Sequence, residues 1–124
     1  MNILAIDYGD KRIGMAWAQT GLDVILPYGL IKGGVKELVS LIKKEHIDKL
    51  VVGLPVGLES QEENMNTKKV RKFADKLKKE TGLPIEFVDE RFSSAQADSM
   101  GGEVSRDEKA AMVILQSYLD KNQS

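Results

Sequence analysis

Acids stand at three separated points of this 124-residue chain: Asp7 in "ILAIDYG", the pair Asp89 and Glu90 in "EFVDER", and Asp107 in "SRDEKAAMVIL". Asp7 closes an apolar strand, and Asp89 with Glu90 closes another. Asp107 comes three, four and seven residues before Ala110, Ala111 and Ile114, so it shares the core-facing stripe of a helix. Carboxylates brought close together repel unless a cation lies between them. Hard oxygen donors with no histidine or cysteine among them suit Mg2+ or Mn2+ and not zinc. Two such ions, roughly 4 Å apart, activate a water and steady the leaving oxygen in phosphodiester hydrolysis. Lys11, Arg12 and Arg91 flank the acids in sequence and could hold backbone phosphates. Taken singly, each acid has a structural reading. Asp7 can bond turn amides, "DER" can be an end-of-strand ion pair, and Ser105 to Glu108 can be a capping box whose acids favour the helix dipole. The chemical reading requires all three to meet.

The elements that must position them follow from local pattern. Ile3 to Ile6 form a strand that leads to Gly9, a residue that can take a positive φ in a tight turn. A second strand over residues 11–19 sets Ile13, Met15 and Trp17 on one face and Gly14, Ala16 and Ala18 on the other, leaving a small face on which something packs closely. A third strand is expected from Tyr28 to Lys32, after Pro27, and Gly33-Gly34 separates it from a helix over 35–46. "KLVVGLP" reads as a buried strand stopped by Pro55. After a polar loop, Val70, Phe73, Ala74 and Leu77 mark an amphipathic helix that Gly82 and Pro84 end before the strand "IEFV". A short helix near 93–100 and a last helix over 106–120 complete the chain. The order β-β-β-α-β-α-β-α predicts an α/β fold with a five-stranded mixed sheet, three antiparallel strands leading into parallel ones, flanked by helices. Right-handed crossovers make strands one, four and five parallel, and ligands collect at their carboxyl ends. That edge carries Asp7, Gly53 to Pro55, and "DER".

Length and composition, 42% apolar and 30% charged, fit one domain over residues 1–124. With no cysteine there is no disulfide framework, thiolate zinc site or cysteine nucleophile, as suits a reducing compartment. Asp7 breaks the first apolar run too early for a signal peptide or membrane span, so a cytoplasmic protein without a membrane partner is expected. The net charge of −1 exerts no global pull on nucleic acid, so any phosphate contact must come from a local basic patch. Lys68, Lys72, Lys76 and Lys79 recur at helical spacing and could track a nucleic-acid backbone, although the commoner role of such a run, and the one favoured here, is a solvated helix face. His46, the one histidine, falls near a helix end, which argues against a serine hydrolase. Met15 and Ala16 stand where a P-loop needs Lys and Ser or Thr. The first hairpin is similar to that of sugar kinase and actin-like proteins, but those close two lobes on ATP and this chain can build one.

Together "IDYGDKRIG", "VVGLP", "VDER" and "DEKAAMVILQSYLD" resemble the YqgF family of Holliday junction resolvase-like proteins, also called pre-16S rRNA nucleases. The resemblance spans nearly the whole chain. It implies an RNase H-like fold, a bacterial cytoplasmic location and a Mg2+- or Mn2+-dependent endonuclease acting at the 5′ end of precursor 16S rRNA. It further implies Asp7, Glu90 and Asp107 as catalytic metal ligands, and it is the resemblance that selects Glu90 over Asp89. A resolvase of branched DNA and a non-catalytic RNA-binding module of ribosome assembly are the alternatives, and a homodimer is compatible with each. Two segments depart from the family pattern. The stretch between "DER" and Asp107 is short and keeps Arg106 and Lys109 in place of a longer basic run, and the loop after Pro55 is acidic at Glu59, Glu62 and Glu63.

Overall fold

Alternating apolar residues on either side of a glycine turn the chain's start into a hairpin. In the computed structural model, which describes residues 1–9, 11–21, 24–32, 34–54, 65–89 and 106–122, β1 (Asn2–Tyr8) pairs antiparallel with β2 (Ile13–Gln19), from Asn2 opposite Gln19 to Tyr8 opposite Ile13. Gly9 serves this turn without taking the positive φ open to a glycine. A Cβ at Gly9 would stand 2.7 Å from the Arg12 carbonyl oxygen, so close backbone approach excludes a side chain. The described glycines at positive φ are Gly21, Gly29 and Gly82.

The third strand, β3 (Ile25–Ile31), begins earlier than Tyr28 and contains Pro27. It is an edge strand, and its register against β2 shifts between Met15 and Ala16, so that Gly29 faces Met15 and Pro27 faces Ala16. Edges and bulges are where a missing amide hydrogen disrupts no ladder bond. Gly29 adopts φ +118 at the bulge.

The remaining elements are α1 (Val35–Lys44), β4 (Lys49–Leu54), α2 (Met65–Thr81), β5 (Ile85–Asp89) and α3 (Arg106–Asn122). The sheet order is β3-β2-β1-β4-β5, with β1, β4 and β5 parallel. The expected order and mixed five-stranded sheet are both found. The helix expected near 93–100 lies outside the described residues.

Strand alternation divides the core into two layers. Leu4, Ile6, Met15, Leu50 and Val52 face α1 and α2, meeting Leu38, Ile42, Val70, Phe73 and Leu77. Ile3, Ala5, Ala16, Ala18 and Val51 face α3, meeting Ala111, Ile114, Leu115 and Tyr118. Ala5 lies directly opposite Ala16, and both, like Ala111, are 0% exposed. The small face expected on β2 is therefore the seat of α3, where short side chains let helix and sheet approach closely. Glu86 pairs in register with Val51 on edge strand β5, and its Oε2 is buried with no hydrogen-bond partner among the described residues. An inward charge on an edge strand discourages edge-to-edge pairing.

Candidate functional site

Because β1, β4 and β5 are parallel, their carboxyl ends lie along one edge of the sheet. Asp7, the penultimate residue of β1, is partly exposed there, two residues beyond Ala5 on the face that seats α3. Its neighbour across the hairpin is Gly14. Lys11 and Arg12 are exposed in the turn that follows at the same edge. The backbone of β5 reaches this edge at Asp89, paired with Leu54. Glu90, Arg91 and the side chain of Asp107 lie outside the described residues, as do the acidic positions Glu59, Glu62 and Glu63. Among the described residues there is no group of three or more histidine, cysteine or acidic side chains able to hold a metal.

The backbone of Asp107 belongs to the first turn of α3, and that turn is tied to the sheet. The Gly29 amide donates to Glu108 Oε2 at 3.0 Å. Gly29 faces Met15, and Met15 faces Ile6, so the bond fixes α3 one residue row from Asp7. At the other end of the helix, Lys49 Nζ donates to the Tyr118 hydroxyl at 2.8 Å, with the ammonium 4.8 Å from the ring centroid. The helix thus crosses the sheet diagonally from β3 to β4, with its amino end, the positive end of its dipole, towards the edge that holds Asp7. A capping box from Ser105 to Glu108 is the structural reading of this turn; Ser105 lies outside the described residues, and Glu108 Oε2 accepts from the amide beside the β3 bulge. No local pattern signals a partner 79 residues away.

Tyr8, next to Asp7, projects to the opposite face, where its ring centroid lies 4.3 Å from that of Phe73 in α2. His46 stands past the end of α1 with φ 54. Its carbonyl accepts from Asn2 Nδ2 at 3.3 Å, which places it at the amino end of β1, away from Asp7, as the reading of a helix-end surface residue anticipates. Tyr28 remains a neutral phenol. Burial, and then the adjacent Glu45 carboxylate, raise its pKa above the ordinary 10.0.

Residues 1–121 match the family described as RuvX, Holliday junction resolvase. The chain belongs to this family. A Dictyoglomus turgidum protein named "Putative pre-16S rRNA nuclease" is 38% identical over 138 aligned positions, covering 97% of this chain and 94% of its own. A Cupriavidus necator protein of the same name is 37% identical over 127 positions, covering 96% and 88%. Among solved structures, the RuvX chain is similar to Thermus thermophilus RuvC, with a TM-score of 0.61 at 11% identity, and to T. thermophilus RuvC in complex with Holliday junction substrate, with 0.64 at 12%. Each covers 98% of this chain and 96% of the other. These neighbours establish the fold as RNase H-like. No helix among the described residues of this RuvX protein is long and apolar enough to cross a membrane.

Proposed function

We propose that this RuvX chain is a cytoplasmic, divalent-metal-dependent endonuclease, residues 1–124 forming one catalytic domain, that hydrolyses phosphodiester bonds in the 5′-end maturation of precursor 16S rRNA. The observation that carries the reading is the convergence of Asp7 and the first turn of α3 on one face at one sheet edge, with α3 held there by Glu108. The curated relatives' shared name supports the substrate.

In this reading Asp7, Glu90 and Asp107 hold Mg2+ or Mn2+. The donor chemistry fits, because the acids supply hard oxygens and His46 lies at the far end of β1. Glu90 enters this set, in preference to Asp89, on the family resemblance of "VDER". When bound, the metal supplies charge neutralisation and an activated water. In the same reading Lys11, Arg12 and Arg91 hold backbone phosphates of the substrate.

The test is cleavage of precursor 16S rRNA with Mg2+ or Mn2+, with and without EDTA. The Asp7→Asn variant is expected to lose at least about a hundredfold in rate, more than loss of an outer-shell contact costs, and to bind RNA as before. Cleavage that persists in EDTA counts against the reading. The family description favours a second substrate, and preferential cutting of a four-way DNA junction over the RNA would select it.

A further inference from the structure

We propose that the exposed lysines of α2 form a track for the RNA backbone, leading the strand from the Asp7 edge onto the side of the sheet covered by α1 and α2. The inference rests on the nuclease reading for the identity of the strand. The track itself is argued from α2.

In a chain of net charge −1, seven of the 17 residues of α2 are Lys or Arg and two are acidic. By contrast α3, also 17 residues long, carries three cations and three carboxylates. The positive charge is segregated outward. Val70, Phe73, Ala74 and Leu77 are buried, and Lys68, Lys72, Lys76 and Lys79 are exposed. No ion pair holds any of these four lysines among the described residues. Their recurrence at helical spacing makes a stripe about 16 Å long at the α-helical rise. Asp75 and Glu80 are the acids of α2, so the face keeps a net positive charge, and exposed cations of this kind exchange their counterions for a polyanion.

The placement of the stripe gives it direction. Since α2 connects the parallel strands β4 and β5, it starts near the edge where β4 ends and runs back. The Tyr8 and Phe73 rings, centroids 4.3 Å apart, set the Phe73 turn level with the residue next to Asp7. Lys68 precedes Phe73 by five residues, so it stands about 7 Å farther along the helix towards and past that edge. A strand leaving the cleavage point therefore meets Lys68 and Lys72 first, then Lys76 and Lys79 along the helix.

The apolar surface favours backbone phosphate over other partners. Among the described residues the exposed large hydrophobics are Met1, Val24 and Leu26, and none of these lies on α2. A membrane-binding helix needs an apolar face to insert, and a protein interface needs an apolar centre. Backbone phosphate needs neither.

Fluorescence anisotropy of a labelled single-stranded RNA, measured in EDTA across a salt series, tests the track without cleavage. Replacing Lys68, Lys72, Lys76 and Lys79 together by Gln is expected to reduce the slope of log affinity against log salt by about 3, at roughly 0.7 per phosphate contact on a single strand, and to weaken low-salt binding at least tenfold. Lys43→Gln and Lys44→Gln in the last turn of α1 form the control, expected to leave the slope unchanged, with melting curves confirming that both variants fold. An unchanged slope in the α2 variant overturns the track even if precursor RNA is still cut. An α2-dependent slope in a protein that cuts no RNA preserves the track and removes the nuclease reading. Tighter binding of a DNA strand of the same sequence, or displacement of RNA from α2 by phosphatidylserine vesicles, overturns the assignment to RNA.

Discussion

On one face of the sheet Leu4, Ile6, Met15, Leu50 and Val52 meet two helices; on the other Ala5, Ala16 and Ala18 meet one. The first layer is thick and aliphatic, and burial without directional bonds is enough to hold it. The second sets Ala5, Ala16 and Ala18, beside Ile3 and Val51, against Ala111, Ile114, Leu115 and Tyr118, so short side chains bring α3 against the hairpin. Small residues contribute less burial, so polar contacts at the two ends of α3, Glu108 to Gly29 and Lys49 to Tyr118, fix where the helix lies. The α1 and α2 face supplies stability and the α3 face supplies geometry. Asp7 lies on the second.

The sharpest way to break this division is Leu50→Ala. Leu50 is 0% exposed under α1 and α2, so the substitution is expected to cost about 2–5 kcal/mol in urea unfolding, while the cleavage rate per folded molecule stays at the wild-type value. A large drop in that rate would show that the two faces are not separable. Next in size, Glu108→Ala removes a charged acceptor from the Gly29 amide and is expected to cost about 1.5–3 kcal/mol. Here the rate should fall at least about tenfold, because small displacements of reacting groups are costly, and Glu108→Gln, which keeps an acceptor oxygen, should restore most of it. Equal damage from Gln and Ala would assign Glu108 a role other than positioning. The smallest stability change is expected from Ala111→Leu, about 1–3 kcal/mol from overpacking against Ala5 and Ala16. It should nonetheless lower cleavage more than Leu50→Ala does, since it lifts the helix that carries Asp107.

Much of this arrangement was legible in the residues. The alternation of Met15 and Trp17 with Ala16 and Ala18 announced a large and a small face, because a strand's period of two is written locally. Gly82 and Pro84 marked the end of α2, and crossover handedness gave the parallel strands their direction. Asp7 stood out as an acid at the end of a buried strand. Other features were misread where two local rules competed. Pro27 suggested a boundary but sits inside β3, since an edge strand with a bulge tolerates it. Gly9 can take a positive φ but serves the approach of the Arg12 carbonyl.

What the sequence by itself determined is the order of the described elements and the side of each strand that is apolar, since these depend on neighbours a few residues apart. Only the tertiary structure decided that α3 runs from β3 to β4, that Glu108 reaches Gly29, and that Tyr8 stacks on Phe73 beside the Asp7 edge. Those contacts join residues 79, 69 and 65 positions apart. Periodicity carries no information over such separations, and packing of the whole sheet selects the partners.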